Sequence, residues 1–359
     1  MYQFISHSFI IKTVMATKFG IVAPLPGVSV KDLVSFAKKS EDAGLDSVWY
    51  PDHILFMAKK LTPEVWSVIT GASVITEKIH LGAIGDPHRM HPATMAHRLA
   101  TVDHISDGRV FSCLGYGEKM NLDYYGIEWD RALSRLRESV KVMRRLWSGE
   151  PVTHQGQFFK LQDAELRISP VNGNVPFFIA ATGPNALRTA GEIGDGWVTN
   201  AMPTWVYKKK SEAVNIGLQS SEIKNNCFER AMYVFLSIAE NKDEAYKTLD
   251  NIKHAIIWPD VIEEAGYKLE IDEEYKGLSY TKIMPNDTQM LAKFREMGQK
   301  YYTREILSDF VVYGNAENVK KRLEEYVNAG VNHFILRDFS PDLEYSFDVL
   351  TKEIIHSFK

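Results

Sequence analysis

Short apolar runs recur along the chain, most bounded by Gly, Pro or Asp, as in strands buried on both faces. Eight are predicted as strands: residues 18–23, 47–50, 79–84, 110–114, 177–181, 196–200, 232–239 and 333–336. Between them the apolar spacing lengthens to a helical period. Ser29 and Asp32 resemble a capping box, after which Val30, Leu33, Val34, Phe36 and Ala37 share a face until Gly44 stops the helix. The stretch 131–147 repeats this pattern with Leu133, Leu136, Val140, Met143 and Leu146, closed by Gly149. Residues 318–329 repeat it again with Val319, Leu323, Tyr326 and Val327 before Gly330. Strand and helix in alternation imply a parallel sheet, and eight strands close it into a single (β/α)8 TIM barrel.

Two stretches exceed a minimal barrel. Residues 149–176, after strand 4 and its helix, read as a small hairpin at 152–159 plus a loop. Residues 241–308 form a long insertion after strand 7, on the face where barrel enzymes bind substrate. It is read either as a lid or recognition segment, with Trp258, Tyr275 and Tyr280 as candidate contacts, or as an extra outer helical layer. Residues 1–16 are expected to be an extension outside the fold, with Met15 as a natural start, and 17–359 to be the barrel. The leader lacks the basic region and small-residue cleavage site of a signal peptide.

Charge narrows the partners. With 42 basic and 46 acidic residues and a pI near 6.3, the chain has no overall pull toward nucleic acid or an anionic membrane. No apolar run reaches the roughly 20 residues of a membrane span. A small-molecule partner is expected. Only Cys113 and Cys227 are present, too few for a disulfide framework, so a reducing cytoplasm is expected.

Chemistry in such barrels collects just past the strands. Asp52-His53 follows strand 2 and supplies an imidazole that can exchange protons near neutral pH, with a carboxylate beside it. The same dipeptide also serves as an ordinary cap or surface pair. Glu118 follows Gly115-Tyr116-Gly117 after strand 4, where burial would raise its pKa and suit it as an acid. The first turn of a helix is the competing place for it. Thr182-Gly183-Pro184-Asn185 follows strand 5 and opens a helix whose free amides suit a phosphate, or it is plain helix initiation with Pro at the first position. Asp86, His88, His91 and His97 crowd together, but their spacing is not a standard zinc pattern, and no metal is expected. No Walker or Rossmann fingerprint and no Gly-x-Ser-x-Gly elbow occurs.

These segments resemble the bacterial-luciferase-like superfamily. The resemblance runs through Lys18-Phe19-Gly20-Ile21, the stretch 41–49 into Asp52-His53, His91-Pro92-Ala93-Thr94, Ser106-Asp107-Gly108-Arg109-Val110, Gly115-Tyr116-Gly117-Glu118, and 191–197. Within it, Gly117-Glu118 followed by Met120-Asn121, and Ala181-Thr182-Gly183-Pro184, are more similar to enzymes using coenzyme F420 than to FMN monooxygenases. F420 is a deazaflavin that carries hydride without activating oxygen. The resemblance implies an F420-dependent oxidoreductase acting on a small alcohol, carbonyl or methylene-pterin substrate. The alternatives are an FMN-dependent monooxygenase and a catalytically silent flavin-binding barrel.

The same resemblance implies roles. His53 and Glu118 would handle protons, and Asp52 would hydrogen-bond the deazaflavin. Ala83 and Ile84, Tyr116 and Gly117, and Ala181, Thr182, Gly183 and Pro184 would hold the cofactor, with its phosphate near Thr182 and Gly183. A non-prolyl cis peptide is expected within 82–85, and a homodimer is expected through helices near strands 2 and 3. Two departures touch the substrate. Met57 stands where the dehydrogenases have Trp, and Val22 where the methylenetetrahydromethanopterin reductase has Glu.

Overall fold

The computed structural model describes residues 16–57, 59–221, 223 and 227–358. The expected extension therefore lies almost wholly outside the described residues. Among the described residues eleven strands are present: β1 (Lys18–Val22), β2 (Ser47–Pro51), β3 (His80–Gly85), β4 (Val110–Leu114), β5 (Val152–Gln155), β6 (Lys160–Ala164), β7 (Phe177–Ala180), β8 (Gly196–Asn200), β9 (Glu229–Ile238), β10 (Val312–Gly314) and β11 (His333–Asp338). Eight of them, β1-β2-β3-β4-β7-β8-β9-β11, pair in parallel, and β11 returns to β1 with Lys18 beside His333, closing the barrel.

Each expected strand is found, with ends shifted by a few residues. The strand expected at 232–239 begins earlier, at Glu229, and β10 is an addition, pairing outside the barrel on the far end of β9. The hairpin is also present, but its second strand starts at Lys160, because 156–159 form the turn.

The helices are α1 (Val30–Asp42), α2 (Val65–Ile75), α3 (Pro92–Ser106), α4 (Lys119–Leu122), α5 (Ala132–Leu146), α6 (Pro184–Ile193), α7 (Thr204–Gln219), α8 (Lys242–Ile252), α9 (Pro259–Glu264), α10 (Thr288–Tyr301), α11 (Arg304–Phe310), α12 (Ala316–Ala329) and α13 (Leu343–Val349). Their ends follow local chemistry. Ser29 accepts the Asp32 amide and donates its hydroxyl to the Asp32 carboxylate, which starts α1. The start of α12 moves back from the expected 318 because Asn315 is the cap and Asn318 its capping-box partner.

Inside the barrel, alternate residues of each strand meet. Val22, Trp49, Phe111, Cys113, Phe178, Val198, Ala231 and Ile335 form this inner core. The rings of Trp49, Phe111 and Phe178 fill it because their neighbours are glycine: a Cβ on Gly82 would stand 2.3 Å from the Phe111 ring, and one on Gly196 2.5 Å from Phe178. Below the rings lies a polar floor. Lys18 and His333 both contact Glu229, at 2.6 and 2.7 Å, His333 meets Ser47 at 2.9 Å, and Trp49 donates to Ser47 at 2.8 Å. Burial works against the Glu229 carboxylate, yet His333 and Lys18 hold its pKa down to about 2. The bottom of the barrel is thus sealed, and its upper end is open.

Candidate active site

At the C-terminal ends of the strands lies a cavity of about 510 Å³. Its base is made by inward-facing residues near the strand ends, Pro51, Ile84, Ala180, Val198, Tyr233 and Arg337. Part of its cover comes from the insertion between β9 and β10, through Ile252, Ala255, Ile256, Trp258, Tyr280 and Thr281. The first part of that insertion therefore faces the cavity, as the lid reading expects. Tyr275 does not line it, but packs edge-on to Tyr301 on α10.

His53 follows β2 and Glu118 precedes α4, and Asn121 on α4 ties them together. The Asn121 carbonyl oxygen accepts the amides of Ile54 at 2.8 Å and Leu55 at 3.2 Å. Its NH2 end is thereby directed at His53 Nδ1, 2.8 Å away, and at Glu118 Oε2, 3.2 Å away. Since an amide NH2 only donates, Nδ1 accepts, and the neutral imidazole carries its proton on Nε2. Phe56 stacks edge-on against the ring, with centroids 4.7 Å apart.

The two titratable groups are driven in opposite directions. Burial, reinforced by the positive charges of Arg89 and Arg337, lowers His53 to about 3. Burial, reinforced by the negative charge of Asp86, raises Glu118 to about 7 against hydrogen bonds from Tyr280 and Asn121. His53 Nδ1 and Glu118 Oε2 are 3.4 Å apart. Near neutral pH the site therefore holds a neutral imidazole beside a carboxyl that both gives and takes a proton.

Asp52 faces another wall. Arg89 pairs with its carboxylate at 2.5 Å, donates to its main-chain oxygen at 2.9 Å and reaches Asp86 at 3.4 Å. Burial lifts the Asp52 carboxyl above its usual range despite Arg89. Gly85 makes room for this pair, because a Cβ there would stand 2.9 Å from Asp52 Cβ.

Of the residues singled out from the sequence, Asp52, His53, Ile84, Tyr116, Gly117, Glu118, Ala181 and Thr182 all line the cavity. Ala83 does not: strand alternation turns it outward, into the apolar shell between strands and helices. Gly183 and Pro184 are exposed beyond the rim, as N-cap and first residue of α6. The cis peptide expected within 82–85 is not found. The single cis bond among the described residues is Leu25–Pro26, and β3 keeps regular parallel register with β4 through Gly85. Glu118 is the N-cap of α4 but makes no capping bond, which leaves its carboxyl to the cavity. His91 caps α3 by accepting the Ala93 amide at 3.2 Å, and no three metal-ligating groups converge among the described residues.

Sequence reasoning gave no role to Arg89 or Arg337, and named Asn121 only within the family motif. Asn121 reaches His53 from α4 and Arg89 reaches Asp52 from the loop after β3, contacts that spacing along the chain does not signal. Arg337 follows the eighth expected strand directly, so its strand-end position was a usable sign.

Over 347 residues, 95% of this chain and 100% of the relative, the sequence is 28% identical to 5,10-methylenetetrahydromethanopterin reductase of Archaeoglobus fulgidus. It is 27% identical to the F420-dependent glucose-6-phosphate dehydrogenase of Amycolatopsis mediterranei, covering 93% of this chain and 98% of that one. The structure is similar, with a TM-score of 0.80 and 27% identity, to an F420-dependent secondary alcohol dehydrogenase in complex with an F420-acetone adduct, covering 96% of this chain and 100% of that one. Residues 13–333 match the model of the luciferase-like monooxygenase family, and the chain belongs to that family.

Proposed function

We propose that this chain is a coenzyme F420-dependent oxidoreductase that moves hydride between the deazaflavin and a small organic substrate. The observation that carries the reading is the buried His53–Asn121–Glu118 cluster at the wall of an apolar cavity. Relatives of three named activities, all similar along nearly their whole length, support the choice of cofactor: two carry F420 in their names, and the third is the reductase.

The residues present suit a planar ring. The backbone of Gly85, Gly115 and Gly117 lines the cavity without side-chain bulk, facing the aromatic and thioether surfaces of Phe56, Met57 and Trp258. In this reading Asp52, Ile84, Tyr116, Gly117 and Ala181 hold the ring. Thr182, with the first free amides of α6 past Gly183 and Pro184, takes the phosphate. When bound, the deazaflavin supplies the hydride chemistry; the protein orients the ring and excludes water. Asn121 fixes the His53 tautomer, so that Nε2–H is the ring nitrogen able to donate to a substrate oxygen or nitrogen. Glu118, poised near pH 7, exchanges the second proton. Homodimer formation belongs to the same reading and is supported by the exposed apolar residues Val74 and Ile75 of α2 and Ile105 of α3.

The test is a screen of alcohols, aldehydes, sugar phosphates and pterins with oxidised and reduced F420, followed by the visible absorbance of the deazaflavin. At least one class is expected to turn over, and His53→Ala to abolish turnover while sparing cofactor binding. Full turnover in His53→Ala would overturn the proton role.

A further inference from the structure

Arg337 is the last inward-facing residue of β11, following His333 and Ile335 on the same face. It is the one lysine or arginine among the described residues that lines the main cavity. Its Nη1 donates to the Ala23 carbonyl at 2.8 Å and its Nη2 to the Leu25 carbonyl at 2.5 Å, while the guanidinium lies 5.3 Å from the Phe339 ring centre. These anchors are all neutral. Among the described residues, no carboxylate comes within ion-pairing distance of Arg337. The adjacent Asp338 is turned to Ser340 and Ser346, at 2.5 and 2.6 Å. Arg89, by contrast, is matched by both Asp52 and Asp86.

A guanidinium drawn out of bulk water without a counter-ion is costly, and two carbonyls use only two of its five donors. Tyr233 adds a further donor. It stands opposite Ile335 on the neighbouring strand, one layer beneath Arg337, and lines the same cavity. Its hydroxyl makes no hydrogen bond among the described residues. The charge of Arg337 is felt across the cavity, acting against the protonated form of His53 and in favour of the ionised forms of Tyr233 and Tyr280.

Taking the site of reaction from the function proposed above, we infer that Arg337 and the Tyr233 hydroxyl form an anion subsite, and that the substrate transformed beside His53 carries a carboxylate or phosphate group. The guanidinium fork matches either oxyanion in a two-point contact, and its carbonyl anchors hold it ready. A neutral alcohol or aldehyde would leave this charge unpaired, so the subsite selects against such substrates.

The subsite is tested by equilibrium binding to the full chain, with and without F420, using isobutyrate, inorganic phosphate and the neutral isostere isobutyramide as probes. Calorimetry reports binding. One of the two anions is expected to saturate the site, and which one it is names the substrate class. Isobutyramide should bind about 10-fold more weakly or not at all. Arg337→Gln should weaken the anion about 10-fold or more, Arg337→Lys less, and Tyr233→Phe by a few-fold. Equal binding of the amide, no binding of either anion, or undiminished binding in Arg337→Gln overturns the inference. Should Arg337→Gln fail to fold, the wild-type contrast between anion and amide and the Tyr233→Phe variant still decide. Failure of F420 to bind would sink the proposed function while leaving the anion result readable.

Discussion

Glu118 ties the cavity's electrostatics to the stability of the fold, and Glu118→Gln measures that link without any substrate. The carboxyl's pKa lies at its ordinary 4.5 in the unfolded chain and at about 7 in the folded one, with burial the main cause and Asp86 adding to it. A folded-state pKa above the unfolded value gives stability that is fully present below pH 4.5 and lost as pH rises through about 7. At about 1.4 kcal/mol per pH unit the loss is at most about 3 kcal/mol. It is a ceiling because the side chain is 24% exposed to the cavity, where water screens it. Glutamine keeps the shape but not the titration. The stability of Glu118→Gln relative to wild type should therefore rise by up to about 3 kcal/mol between about pH 5 and about pH 8. Histidine 53 is common to both proteins and cancels. Urea unfolding across that range reads the difference directly. A difference that stays flat to within about 0.5 kcal/mol would refute the placement of Glu118 as a buried carboxyl held against its ionisation.

Two other substitutions probe the same walls. Arg89→Leu strands the Asp52 carboxylate and should destabilise the chain by about 3–5 kcal/mol, with Asp52→Asn in the same chain recovering much of it; a single-variant melting temperature equal to wild type contradicts the pair's role. Asn121→Leu removes the amide donor that fixes the His53 tautomer, and turnover should fall about 100-fold while F420 affinity holds, as read by steady-state rates beside a cofactor titration.

The barrel was legible because its strands are buried on both faces and its helices end at Ser29, Gly44, Gly330 and similar stops, all local signals. Asp52, His53 and Glu118 were legible because strand ends in this fold converge whatever the loop lengths. Arg89 and Asn121 were not, since each acts through a contact far along the chain, Arg89 from the loop after β3 to the Asp52 main chain 37 residues away and Asn121 from α4 to His53 68 residues away. Ala83 was misplaced for a different reason: one residue of register decides which face a strand side chain takes, and Ile84 took the inner one. The inward-pointing Tyr280 belongs to a segment with no periodicity of its own, so only the fold shows that it reaches Glu118 while Tyr275, five residues earlier, does not.

Which ring the cavity accepts decides the chemistry of the site. Titrating the purified chain with oxidised F420 and, separately, with FMN, and following the absorbance change of each ring, should give saturable binding of F420 and none of FMN. Saturable FMN binding with oxygen consumption once the flavin is reduced, and no response to F420, would contradict it.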